Sequence, residues 1–478
     1  MTTRTLIHRA RRYVAGAVFG LFTVTQLAHA SVDKEEQAAV ARLLSDRGQP
    51  TVAASLPSPV GSEQAEVSRL LAQPLTAAAA VRLALLQHRE VRAALVALGI
   101  PRGQLLTAGL PPNPEVEISL RAPQAEAQPL QAEIGVDYEI SALILLPLRR
   151  SVAHSELQAE RLRAASLILT IAYGARQAFY DAAAALEQQA LRQRALQVAE
   201  AAYAVRAELA RVGNIPALDL QQERAAMESA RLDVTEAELS AKQAREQLNA
   251  ALGLVGTQTA WSLASDALTL PPDASDAQIE QRVVDASFEL AALRSQATGA
   301  EQRARLQRVA GALPHLGAGF HGEHDGTAWE LGGHVSLSLP LLNQGQGAVA
   351  ASRAEARSLR ERVAAAEAVL RARLRATQSQ LSLSLSRAQI LREGVVPARQ
   401  QALREMQLQY NGMQVSVFQL LDARRGLFDA QAAQVEALRQ ALQARARLDL
   451  LLAGGRADLG DSSPRVPGRS SPGPSEAH

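Results

Sequence analysis

The chain has 478 residues, more than one ordinary core holds, so two or three domains or one internally repeated architecture is expected. Aromatic residues make up only 3%, too few for a large conventional core, whereas the abundant alanine suits closely packed helices. With 50 basic against 48 acidic residues and no cysteine, the sequence offers no basic excess for a nucleic acid, no disulfide, no thiolate metal site and no cysteine to carry a lipid.

Residues 1–30 read as a secretory signal. Arg4, Arg9, Arg11 and Arg12 precede an apolar run from about Val14 to Leu27, and Ala28-His29-Ala30 forms a small-x-small cleavage sequence before Ser31. Its removal leaves 46 basic against 48 acidic residues. Elsewhere no apolar run reaches the roughly 18 residues of a membrane-spanning helix. Residues 31–74 read as an N-terminal linker or equatorial segment, with the turn-rich stretch GQPTVAASLPSPVGS.

A first structural repeat is expected over 75–253. A helix runs from Leu75 to about Ala108. Two strands follow, near 114–121 and 133–144, and a polar loop, APQAEAQPLQ, joins them. In the first strand Val116, Ile118 and Leu120 alternate with Glu115, Glu117, Ser119 and Arg121; in the second Ile134, Val136, Tyr138 and Ile140 alternate with Asp137, Glu139 and Ser141. After Pro147 the pattern turns helical, over about 150–211 and 219–251. A helix of about 60 residues is about 90 Å long, which requires a coiled coil or an extended bundle.

After an inter-repeat linker at 254–275 the order returns over 276–454: a helix to about 309, strands near 315–322 and 329–339 around an Asp325-Gly326 turn, and helices over about 346–410 and 418–452. In the fourth strand Trp329, Leu331, Val335, Leu337 and Leu339 alternate with Glu330, His334, Ser336 and Ser338. Pro147 and Pro340 lie 193 residues apart and Leu220 and Leu420 lie 200 apart, a difference of one heptad that keeps coiled-coil phase. QLSLSLSR alternates like a strand but sits in a helical stretch without turn residues, and Pro397 should mark a kink or restart after Gly394. Residues 455–478, rich in Pro, Ser and Gly, read as a disordered tail.

Four strands with one apolar face cannot cross a bilayer as an open sheet, because each unpaired edge group would cost several kcal/mol. Three copies close a barrel of about 12 strands, within the range of outer-membrane barrels. The expected fold is therefore mainly α with a small β part: a duplicated helix-hairpin and strand-hairpin repeat whose trimer forms a 12-stranded β-barrel continued by a long α-helical barrel. A periplasmic coiled-coil scaffold with a small β cap is the alternative, and it leaves Val116, Ile118, Trp329 and Leu337 without a purpose.

From about Leu75 to Gly454 the chain resembles the TolC-like outer-membrane efflux proteins. GLPPNPEVEIS leads into the first strand, SLPLLNQGQG leaves the fourth, RVGNIPALDL and LNAALGL mark the first half, and QYNGMQVSVFQLLDARR marks the second. PPNPE and GNIPALDL look most like the heavy-metal resistance branch. The resemblance implies a homotrimeric channel-tunnel in outer-membrane lipid, extending into the periplasm and passively receiving substrate from an inner-membrane pump of the resistance-nodulation-division type through a periplasmic adaptor. Heavy-metal cations are the expected substrate; drug or solvent efflux and type I protein secretion are the alternatives.

The resemblance also implies that Val212, Gly213, Asn214 and Ile215, with Asn411, Gly412, Met413 and Gln414, form two periplasmic tips that meet the adaptor, glycine permitting the positive φ of a tight turn. It places Asp219, Tyr410, Gln419 and Asp422 as candidates for closing the entrance; an aspartate in a first helical turn also serves as an ordinary cap or dipole partner. Strand alternation by itself puts Glu115, Glu117, Asp137, Glu139, His321, Glu330 and His334 on a wet face that would line the lumen. No metal site is assigned to these residues, no cofactor is expected, and no catalytic motif occurs in a credible context, so the chain reads as a conduit and not an enzyme.

Overall fold

The computed structural model describes residues 34–57, 63–121, 131–264, 267–269, 279–324 and 328–456. The expected signal, the loop between the first two strands, the Asp325-Gly326 turn and nearly all of the expected tail lie outside the described residues. The chain is mainly helical with one small antiparallel sheet.

Residues 31–74 and 254–275 are more than linkers. A helix over 34–46 (α1) buries Val40 and Leu44, and Glu36, 1% exposed, accepts from Nε and Nη2 of Arg161 at 2.6 and 2.7 Å. Short helices α2 (Pro50–Ala54) and α3 (Glu63–Leu71) follow. In the other stretch, the buried indole of Trp261 donates to Asn249 Oδ1 at 2.7 Å, and Leu75 forms a bridge with Leu263.

The helix expected over Leu75–Ala108 is three helices: α4 (Ala77–Gln87), α5 (Arg89–Ala97) and α6 (Gly99–Ala108). His88 is extended and its Nδ1 accepts from the N–H of Glu90, ending one helix and capping the next. The second copy breaks in the same way. Instead of one helix over 276–309 it has α9 (Ile279–Ala286) and α10 (Phe288–Ala312), divided at Ser287, whose side chain accepts from the N–H of Leu290. Neither break contains a glycine or proline. Each is packed instead against a left-handed glycine: Gly253 (φ +70°) against Gln87 and His88, and Gly454 (φ +88°) against Ala286. A Cβ on Gly253 would sit 3.1 Å from the Gln87 carbonyl, so glycine is needed there for space as well as for φ.

Strands β1 (Glu115–Arg121), β2 (Gln131–Glu139), β3 (His315–His324) and β4 (Trp329–Ser338) form one antiparallel sheet in sequence order. The two halves of the duplicated chain join at β2 and β3, where Asp137 faces Gly319 and Val136 faces Phe320.

The strand expected near 133–144 ends at Glu139, and the helix expected from about 150 begins at Ser141 as α7 (Ser141–Arg211), with Pro147 inside it. Burial of Ser141, Ala142 and Leu145 at helical spacing explains why the alternation of Ile140 and Ser141 does not continue as strand. At 71 residues α7 is about 105 Å long. It returns as α8 (Ala217–Leu252).

In the second copy, residues 339–345 form a loop, and the long helix is α11 (Gln346–Gln389), a π-helical segment (Ile390–Val395) and α12 (Val396–Asn411), returning as α13 (Val417–Leu452). QLSLSLSR lies within α11, and the expected break near Gly394 takes the form of the π segment, directly before Pro397, which has no N–H to donate. Pro147 and Pro340 are thus not equivalent, since one lies in a helix and the other in a loop. From strand end to helix end cap the copies run Glu139 to Val212 and Ser338 to Gly412, a difference of one residue and not of a heptad.

Around mid-length, α7 packs with α1, α5, α9, α10, α11 and α13 on one side (Ile168, Leu169, Phe288, Leu374, Leu448) and with α3, α4 and α8 on the other (Phe179, Leu83, Leu248, Trp261). Small alanines such as Ala165, Ala172, Ala182 and Ala444 allow this close packing.

Candidate functional site

The sheet has two chemically opposed faces. Cross-strand register aligns Glu115, Asp137, Gly319 and His334 in one row, Glu117, Gly135, His321 and Gly332 in the next, and Ser119, Glu133, Glu323 and Glu330 in a third. Residues directly opposite share a face, so all seven expected wet-face residues, including Glu139 two positions from Asp137, lie together. Glu133 and Glu323 belong to the same face and were not among the candidates, although their spacing from Asp137 and His321 marks them.

Glycines form the floor under these side chains. His334 Nε2 is 2.8 Å from Asp137 Oδ1, a reach across β3 that Gly319 leaves open. The His321 ring lies over Gly332, 6.0 Å from the His334 ring, and His315 Nδ1 is 3.5 Å from Glu139 Oε1. Among the described residues no group of three or more His, Asp or Glu is arranged to hold a metal ion. On the opposite face Val116, Ile118, Phe320, Leu331 and Val335 are uncovered. No helix among the described residues is long and apolar enough to cross a membrane.

At the far end of the long helices, two turns close in the same way. After α7, the N–H of Gly213 donates to the Ala210 carbonyl and that of Asn214 to the Leu209 carbonyl; after α12, Met413 donates to Tyr410 and Gln414 to Gln409. Both are the paired 5→2 and 6→1 bonds of a Schellman cap. The first places Gly213 at φ +77°, as expected. The second departs from expectation: Gly412 has φ −82°, and Met413, 95% exposed, takes the left-handed position at φ +59°. Val212 and Asn411 are exposed beside these turns, and Ile215 is half-buried.

The four entrance candidates have different surroundings. Gln419 is held in a capping box, its Oε1 accepting from the N–H of Ser416 while its own N–H donates to Ser416 Oγ. Tyr410 and Asp422 are exposed. Asp219 lies 4.0 Å from Arg206 at the edge of a network that pattern reading missed. In it Glu223 of α8, with a 12% exposed side chain, is 2.8 Å from Arg206 Nε on α7 and 3.5 Å from Arg425 on α13, and the Arg206 guanidinium lies 4.0 Å over the Phe418 ring. One carboxylate thus bridges three helices from both halves of the chain.

No family model matches the sequence. The cobalt-zinc-cadmium resistance protein CzcC of Cupriavidus metallidurans is 24% identical over 391 residues, 80% of this chain and 91% of that protein. The crystal structure of CusC, solved in work on folding and transmembrane channel formation, matches with a TM-score of 0.66 at 16% identity, over 80% of this chain and 92% of that one. The open state of the MtrE outer-membrane channel of Neisseria gonorrhoeae matches with a TM-score of 0.66 at 17% identity, over 79% and 88%. The chain has the fold of the TolC-like outer-membrane channels.

Proposed function

We propose that the protein is the outer-membrane duct of a tripartite efflux system, with three copies enclosing one channel. The observation that carries this reading is the sheet: among the described residues one face is uncovered and apolar, the other is lined with carboxylates and imidazoles, and the outer edges of β1 and β4 are open. Backbone groups on those edges need partners in lipid, and joining β4 of one copy to β1 of the next supplies them in a closed 12-stranded barrel. The helices continue the conduit through the periplasm.

In this reading the wet face lines the lumen. Glu115, Glu117, Asp137, Glu139 and Glu330, repeated three times, make it favourable to cations. That preference, with the likeness to a cobalt-zinc-cadmium resistance protein, supports divalent metal ions as the exported substrate. A duct needs no catalysis; an inner-membrane pump of the resistance-nodulation-division type supplies the energy. The turns at Val212–Ile215 and Asn411–Gln414 would meet a periplasmic adaptor, and Asp219 and Asp422, backed by the Arg206–Glu223–Arg425 network, would close the entrance.

Extraction of the outer-membrane fraction with detergent, followed by mass measurement, tests the assembly: three copies per particle are expected, and a water-soluble single copy would refute the duct. Deleting the gene should lower cobalt, zinc or cadmium tolerance. Unchanged metal tolerance with lost drug tolerance would assign the duct to drug efflux.

A further inference from the structure

The strands alone do not provide a full apolar band on every side of such a barrel. At about 3.4 Å per residue and about 40° tilt, the ten residues of β4 span about 26 Å along the barrel axis and the seven of β1 about 18 Å, against an apolar band of about 25 Å.

Exposed apolar side chains continue past the strands at the helix-side end. Leu110 precedes β1, Ile140 and Ile144 follow β2, and Leu339, Leu341 and Leu342 follow β4, with Leu341 77% and Leu342 93% exposed. Leucines so uncovered on a seven-residue loop have no packing role among the described residues. The loop itself is held in place: Gly345 is left-handed at φ +71°, and a Cβ there would lie 3.5 Å from Gly311 Cα at the end of α10. A little farther from the sheet, Arg149 and Arg150 of α7 are exposed. Apolar side chains followed by arginines about one and a half helical turns on reproduce the passage from acyl chain to headgroup phosphate.

We infer that these six residues form an apolar collar that inserts into the periplasmic leaflet of the outer membrane, with Arg149 and Arg150 at its headgroup level. The inference rests on the outer-membrane duct reading. It adds a lipid contact made by loops and first helical turns, outside the barrel strands, which deepens the seat of the barrel on the side where β1 is short.

The absence of native cysteine makes the test direct, because Leu342→Cys and Leu341→Cys each carry a single nitroxide label. The full chain is reconstituted in vesicles of phosphatidylethanolamine and phosphatidylglycerol, and label collisions with oxygen are compared with those of a water-soluble nickel chelate. Val335→Cys on the apolar sheet face and Met413→Cys at the periplasmic turn are the references. The collar predicts that the Leu341 and Leu342 labels favour oxygen, as at Val335, and oppositely to Met413. Labels favouring the nickel chelate would place the loop in water, and labels shielded from both would place it against a neighbouring copy; either result overturns the collar while leaving the duct intact. A Val335 label that favours the nickel chelate would overturn the duct and the collar together.

Discussion

Glu223 Oε2 lies 2.8 Å from Arg206 Nε, joining α8 to α7 about two helical turns from the Gly213 turn, and the other oxygen of the same carboxylate faces Arg425 of α13 at 3.5 Å. If this network holds the entrance shut, Glu223→Gln releases both hairpins. The change removes the charge that faces both arginines, and ion pairs of this kind are worth about 0.2–1 kcal/mol each, so the closed-to-open ratio should fall several-fold. Conductance in planar bilayers measures this, and an unchanged value would remove Glu223 from the closure.

Asp422 and Asp219 separate two ways of closing. Asp422 is exposed, whereas Asp219 sits 4.0 Å from Arg206. A ring of repelling or cation-binding carboxylates at Asp422 predicts that Asp422→Ala raises conductance and weakens block by added divalent cations. An unaltered conductance would leave the Arg206 network as the only barrier of the two.

Met413 occupies a left-handed position that costs a side-chain-bearing residue about 1–2 kcal/mol. Met413→Gly should therefore raise thermal stability slightly. If the exposed thioether is retained for a partner, the same change should weaken adaptor binding in a pull-down. A gain in stability with no loss of binding would make the methionine incidental.

Much of the architecture can be read from residue spacing. The parity of β1 and β4, the glycine of the first turn and the kink before Pro397 are local signals, and local signals survive in a sequence. The breaks at His88 and Ser287 are not visible in this way, because what imposes them is Gly253 and Gly454 arriving from about 165 residues downstream. The end of β2 was missed for a related reason: Ile140-Ser141 extends the alternation, and only burial of Ala142 and Leu145 shows that the helix has begun. The Glu223 network escapes pattern reading because its arginines lie on separate helices. Gln419 stands three residues after Ser416 and forms a capping box with it, which gives it a structural role.

Gly253→Ala tests the long-range break. The added methyl meets the Gln87 carbonyl at 3.1 Å and φ +70° is unfavourable for alanine, so a loss of about 1–3 kcal/mol is expected in thermal or denaturant unfolding. An unaffected midpoint would show that the joint between α4, α5 and α8 is loose.

If the acidic face of the sheet lines the lumen of a trimer, as proposed, it confers charge selectivity. Glu330→Gln together with Glu323→Gln removes six carboxylates per trimer from one row and should lower the cation-to-anion permeability ratio, read from the reversal potential under a salt gradient. A ratio that does not move would place this row away from the ion path.

The π-helical segment at Ile390–Val395 gives the second long hairpin a pivot among the described residues that α7 does not share. The 16 residues of α12 beyond it form a lever of about 24 Å. A bend of about 10° at that pivot would sweep Met413 sideways by about 4 Å while the sheet stayed still, so the two hairpins of one subunit are mechanically unequal: one is a strut, the other a hinged arm.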